Sequence, residues 1–118
     1  MPATTGTGAG LHSLDRARTK LQLDWEDIAA IVGVNRSTLH RWRTQESVPR
    51  PMAWSRLAQL DDLLQLLPRV FAGPDLARAW LTDSRPESLG GRVTPLDVMK
   101  EGRIDRVLGL LQFLARGA

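Results

Sequence analysis

The chain has 118 residues, 42% of them hydrophobic and 25% charged, with a formal net charge of +3. That is room for one domain or two very small modules, and the composition is too ordinary for a chain disordered throughout. The absence of cysteine excludes disulfides, thiol nucleophiles and Cys-based zinc sites, and no apolar run nears the roughly 20 residues that span a bilayer.

Residues 1–11 are small and rich in Gly and Thr, which predicts a flexible tail. "GTGAG" is superficially like a dinucleotide-binding loop, but no strand precedes it and its spacing is wrong. "MPATTGTGAG" has neither the basic start nor the apolar core of a secretory signal, so a cytoplasmic location is expected.

From residue 12 the pattern is helical. Period-two alternation, Tyr and β-branched clusters are lacking, so the fold class expected is all-α. Ser13 can cap a first helix, with Leu14, Ala17 and Leu21 on one side. Asp24 can cap a second helix through about Val32, with Ile28, Ala29 and Val32 inward. Gly33 supplies a turn, and Asn35 can cap a third helix from Arg36 to about Thr44. "ESVPRP" then breaks the pattern.

The stretch "DIAAIVGVNRSTLHRWR" (27–43) fits a helix-turn-helix. Ala29, four residues before Gly33, allows close crossing, and Gly33 suits a turn with positive φ. Ile28, Val32, Val34, Leu39 and Trp42 form its small core. At about 100° per residue, Arg36, Ser37, His40, Arg41 and Thr44 share an arc of about 140°, opposite Leu39 and Trp42. Arg43 borders that arc. These side chains can read base edges in a major groove, while Arg43 and Arg50 suit phosphates. Ser37 has a second possible role at the helix start. The region 12–50 is thus a candidate binder of double-stranded DNA. The bland alternative is a solvated hairpin, but such a surface would more often carry Glu and Lys.

Residues 51–68 predict one long helix ended or kinked by Pro68. Its leucines at 57, 60, 63, 64, 66 and 67 cover a wide arc, which asks for cover on more than one side. Either a second copy or the rest of the chain can provide it. A homodimer is the usual arrangement for reading two half-sites.

Residues 69–118 begin with a helix over "PDLARAWLT", with Leu76, Ala79 and Trp80 inward. A loop follows, "DSRPESLGGRV". Thr94 as N-cap, Pro95 at the first helical position, Asp97 in the first turn, Lys100 near the end and Gly102 beyond it spell a short helix. The last helix runs from Arg103 or Ile104 to about Arg116, with Ile104, Val107, Leu108, Leu111 and Leu114 as its stripe.

No catalytic constellation emerges. His12 and His40 lie in different elements, and HExxH, GxSxG and P-loop patterns are missing. Asp61 and Asp62 are adjacent on a helix and point apart. The four tryptophans lie at packing positions. An enzyme, a metal site and a cofactor are therefore not expected.

The order Trp80-Leu81, Leu89-Gly90-Gly91, Thr94-Pro95-Leu96, Gly102, then Ile104, Val107 and Leu108 resembles the C-terminal domain of the Xre/MbcA/ParS antitoxin family. The likeness covers about residues 70–117, and the Xre-like region precedes it. Two departures stand: "RPES" replaces the family's Asn or Pro-Asn, and Arg92 with Val93 is one residue more than the family's spacer. The resemblance implies an antitoxin whose C-terminal half covers the active site of a RES-domain, NAD+-degrading toxin and whose N-terminal half binds its own operator. It implies a toxin-binding surface among Trp80, Leu89, Gly90, Gly91, Thr94, Pro95, Gly102, Arg103, Leu114 and Arg116, with the C-terminus reaching for the toxin's pocket. A stand-alone regulator with a C-terminal oligomerisation domain is the alternative, and an adaptor without DNA binding is a third reading.

Overall fold

The computed structural model describes the backbone of residues 2–117 and the side chains of 11–117. Seven helices follow in order: α1 (Pro2–Lys20), α2 (Trp25–Val32), α3 (Arg36–Arg43), α4 (Pro51–Val70), α5 (Pro74–Asp83), α6 (Pro95–Lys100) and α7 (Ile104–Gly117). A 3-10 turn, Glu87–Leu89, precedes α6. The described residues contain no strand, so the fold is all-α as expected. No helix among them is long and apolar enough to cross a membrane.

Helix α4 is the spine. It packs on α1 along one side and on α7 along another, and α6 rests on α2, α5 and α7. Leu57, Leu60, Leu63, Leu64 and Leu67 are buried, while Leu66 is half-buried. The wide leucine arc is therefore covered by this same chain. It joins Leu14, Ile28, Leu39, Leu81, Met99, Ile104 and Leu111 in one continuous core.

Several start and stop signals act as the sequence predicts. Asp24 accepts a hydrogen bond from the Asp27 amide at 2.9 Å, and Asn35 accepts one from Thr38 at 2.8 Å. Thr94 and Asp97 close a reciprocal capping box at 3.1 and 3.2 Å. The turns at Gly33 and Gly102 have φ of 88° and 86°, where a side chain would be strained.

Other expectations need correction. The helical backbone starts at Pro2 rather than Ser13, because extending a helix from an anchored segment costs far less than starting one. The tail expected over 1–11 thus has a helical path, and the side chains of 1–10 lie outside the described ones. Ser13 caps nothing: it is fully buried, and its hydroxyl donates to Asp61 Oδ1 at 3.0 Å. Pro68 does not end α4, which continues to Val70 and closes with the Phe71 amide on the Leu67 carbonyl at 2.9 Å. Pro68 lacks the amide that would bond to the Leu64 carbonyl, and its ring crowds that carbonyl, yet the helix closes only after Val70. In α5 the inward residues are Ala77 and Leu81, with Trp80 half-buried, whereas Leu76 and Ala79 are exposed. The helix is turned by about one residue, ~100°, and buried Ala77 lines a cavity with Leu64 and Leu67 of α4.

Candidate DNA-binding and partner-binding surfaces

The α2–α3 pair is built by its core. Ile28, Ala29, Ile31, Val32, Leu39 and Trp42 are buried, and only Gly33, Val34 and Asn35 separate the two helices. Packing Leu39 and Trp42 inward turns Arg36, Ser37, His40 and Arg41 outward, and all four are exposed. Asn35 performs the capping, which leaves the Ser37 hydroxyl on the outer face. Arg36 lies 3.9 Å from Glu26 across the pair, a weak exposed contact. Arg41 donates to the Thr38 hydroxyl at 3.4 Å.

Arg50, the residue before α4, shares a groove of about 420 Å³ with Arg41, Thr38 and Ser47. Thr44 sits at the end of α3, where its hydroxyl is 2.7 Å from Glu46 and 3.1 Å from the His40 carbonyl. Its single proton serves one of them. Arg43 points elsewhere: its guanidinium lies 4.2 Å over the Trp25 ring and 3.6 Å from Asp15 of α1. Arg18 approaches the same ring at 6.0 Å. The sequence patterns did not reveal this cluster, because α1 and α3 meet only in the folded chain.

The two halves are joined closely. Lys100 of α6 forms a 2.9 Å ion pair with Asp27 of α2. This pairing holds the Lys100 ammonium above its ordinary range, while the cap bonds from Thr94 hold Asp97 below its own. Arg56 of α4 lies beside both turns: a Cβ at Gly102 would come 2.7 Å from its Nη1, and one at Gly33 would come 3.9 Å from its Nε. Its cation thus sits near the C-terminal ends of α2 and α6, where the helix dipoles favour positive charge.

The residues singled out in the second half divide into frame and surface. Thr94 and Pro95 are buried, and Gly102 is half-buried beside Arg56. Trp80 is half-buried with its ring 5.4 Å from that of Phe71. Gly90 and Gly91 form a left-handed turn, φ 102° and 73°, beneath half-buried Leu89. Arg103 is exposed at the start of α7, Leu114 is half-buried and Arg116 is exposed at its end. Arg116 lines a groove with Asp62, Gln65, Leu66 and Arg69 of α4. The stripe over 104–114 drew attention away from Phe113, which is 63% exposed.

No family model matches the chain. The mycobacterial cidal antitoxin MbcA of Mycobacterium tuberculosis is 30% identical over 116 residues, spanning 95% of this chain and 96% of the relative. The same figures hold for MbcA of Mycobacterium bovis. In the crystal structure of the M. tuberculosis MbcT–MbcA toxin–antitoxin complex, one chain matches with a TM-score of 0.67 at 28% identity, covering 92% of this chain and 95% of that one. Helix order, caps and spine thus accompany a likeness running nearly end to end, and the chain belongs to the MbcA family of antitoxins.

Proposed function

We propose that this chain is the antitoxin of a type II toxin–antitoxin pair. It neutralises a RES-domain, NAD+-degrading toxin by covering its active site, and it represses its own operon by binding operator DNA. The observation that carries this reading is the near full-length likeness to an antitoxin whose solved structure is a complex with its toxin. The toxin-facing half is residues 69–118, with exposed Arg103 and Arg116 and the end of α7 as its accessible parts.

DNA binding is supported by the outward row Arg36, Ser37, His40 and Arg41, with Arg50 beside it for a phosphate. Arg43 serves DNA only by exchanging Asp15 for a phosphate. Self-association, if it pairs two half-sites, draws on Val48 and Met52, 74% and 72% exposed next to α3, since every leucine of α4 but half-buried Leu66 is buried within the chain.

Co-expression with the toxin gene of the same operon tests the reading. The expected outcome is a stable complex, a cell that grows and an NAD+ pool that persists, with collapse of both when the chain is omitted. Loss of NAD+ despite an excess of this chain would reject it.

A further inference from the structure

A cavity of about 300 Å³ opens where the end of α1, the last turns of α4 and the start of α5 come together. Leu21, Leu64, Leu67 and Ala77 form its inner wall, and all four are buried. Half-buried Phe71 lines it as well. The frame is stiff. Pro68 sits in the last turn of α4 and Pro74 in the first turn of α5, so two fixed φ angles bracket the three-residue link 71–73. The space is therefore preformed, as ligand sites usually are.

Two properties of this cavity are not accounted for by packing within the chain. Protein interiors leave few voids larger than a water molecule. At water's share of roughly 30 Å³ per molecule, this one has room for about ten non-hydrogen atoms. Lys20, exposed at the rim, is the single charged residue of the lining, and no carboxylate there answers it. It takes part in none of the ion pairs among the described residues. An apolar enclosure with one polar group that fixes orientation is the usual make-up of a small-molecule site. Lys20 repels a cationic occupant, and a plain hydrocarbon leaves it unused. A carboxylate satisfies it at the rim, where neither charge has to leave water.

We infer that this cavity binds a small amphiphilic monocarboxylate of the size of a medium-chain fatty acid. The hydrocarbon fills the space between Leu21, Leu64, Leu67 and Phe71, and the carboxylate stays at the rim on Lys20. Octanoate matches the atom count that the volume allows. Occupancy ties α5 to α1 and α4, so the ligand stabilises the place where the two halves of the chain meet. Binding here needs neither toxin nor DNA, and it goes beyond the antitoxin reading without resting on it.

The test uses the full chain with octanoate, octanol and octylammonium as probes, followed by calorimetry, thermal melts and the indole N–H signals in NMR. Octanoate should bind at a single site and raise the melting temperature. It should shift the signal of Trp80, whose ring lies 5.4 Å from that of Phe71, and leave that of Trp42 in α3 in place. Octanol should bind about fivefold more weakly, the share that one exposed ion pair contributes, and octylammonium more weakly still. Lys20→Met should erase the preference for octanoate over octanol. Ala77→Phe, which fills the cavity, should abolish binding of all three probes. Ala72→Trp, at an exposed position on the rim, should do the same without touching the core. Absence of both heat and a Trp80 shift at millimolar octanoate would overturn the site. Undiminished octanoate binding in a folded Ala72→Trp chain would overturn it too, by putting the ligand elsewhere. Equal affinity for the three probes would overturn the carboxylate assignment. Each of these failures leaves the toxin complex, measured separately by co-expression, untouched.

Discussion

Gly102 is the residue whose chemistry is most tightly prescribed. Its φ is 86°, and a Cβ there would meet Arg56 Nη1 at 2.7 Å. Gly102→Ala should therefore destabilise the fold by roughly 1–3 kcal/mol, read as a lower urea midpoint. Truncating Arg56 in the same chain should recover only part of the loss, because the backbone strain persists. The titrating residues give a second prediction. Asp97 is held below its ordinary 3.8 by the Thr94 bonds, so its contribution is present above that value and lost as pH falls through the lowered one. Lys100 is held above 10.5 by Asp27, so its contribution is present below 10.5 and lost as pH rises through the raised value. Asp97→Asn should flatten the acid limb of the stability profile, and Lys100→Met the alkaline limb. Residues of this kind differ in how far sequence betrays them. Thr94, Pro95, Asp97 and Gly102 were legible because a cap is decided within four residues. The role of Arg56 was not, because Gly33 and Gly102 become its neighbours only after folding.

At the scale of elements, α3 presents an outward row whose members should behave differently on DNA. Arg41→Ala should lower affinity for the operator by about 1–3 kcal/mol while leaving random DNA nearly unchanged, if Arg41 reads a base. Arg50→Ala should weaken both and reduce the salt slope by about one. Fluorescence anisotropy at several salt concentrations separates the two, and equal losses for Arg41→Ala on both DNAs would make it a phosphate contact. The helices themselves were largely readable from periodicity and caps. The face of α5 was not, because Leu76 outweighs Ala77 in any hydrophobicity count, yet Ala77 is buried and Leu76 exposed. Pro68 reads as ending or kinking the helix, but its missing amide bond and ring clash fall on the preceding turn, and two more helical residues follow it. On α7 the regular inner stripe was legible, and its very regularity hid Leu110 and Phe113 on the other side.

At the scale of the molecule, α4 determines how the chain unfolds. Its two flanks carry α1 and α7, and α6 returns to α2 through the Lys100–Asp27 pair. Trp25 and Trp42 report on the first half and Trp80 on the second. Single-tryptophan variants should give one coincident unfolding transition from either half, and two separated midpoints would reject this. The sequence pointed to a long apolar helix needing cover, but left open whether a second copy or the same chain supplied it. Periodicity gives the width of an apolar arc and not the identity of what lies upon it.

The shared spine also bears on how such a protein can be rebuilt. Leu57 and Leu60 lie in the same core as Leu14 on one side and Leu111 on the other, so no cut between residues 51 and 70 leaves both parts with an intact interior. The two halves are therefore not cassettes. A chimera that grafts residues 69–118 onto a foreign N-terminal module must carry α4 with it, together with a surface that replaces α1. A redesign of either surface is accordingly confined to the outward residues of α3 and α7, while α4 between them must stay fitted to both.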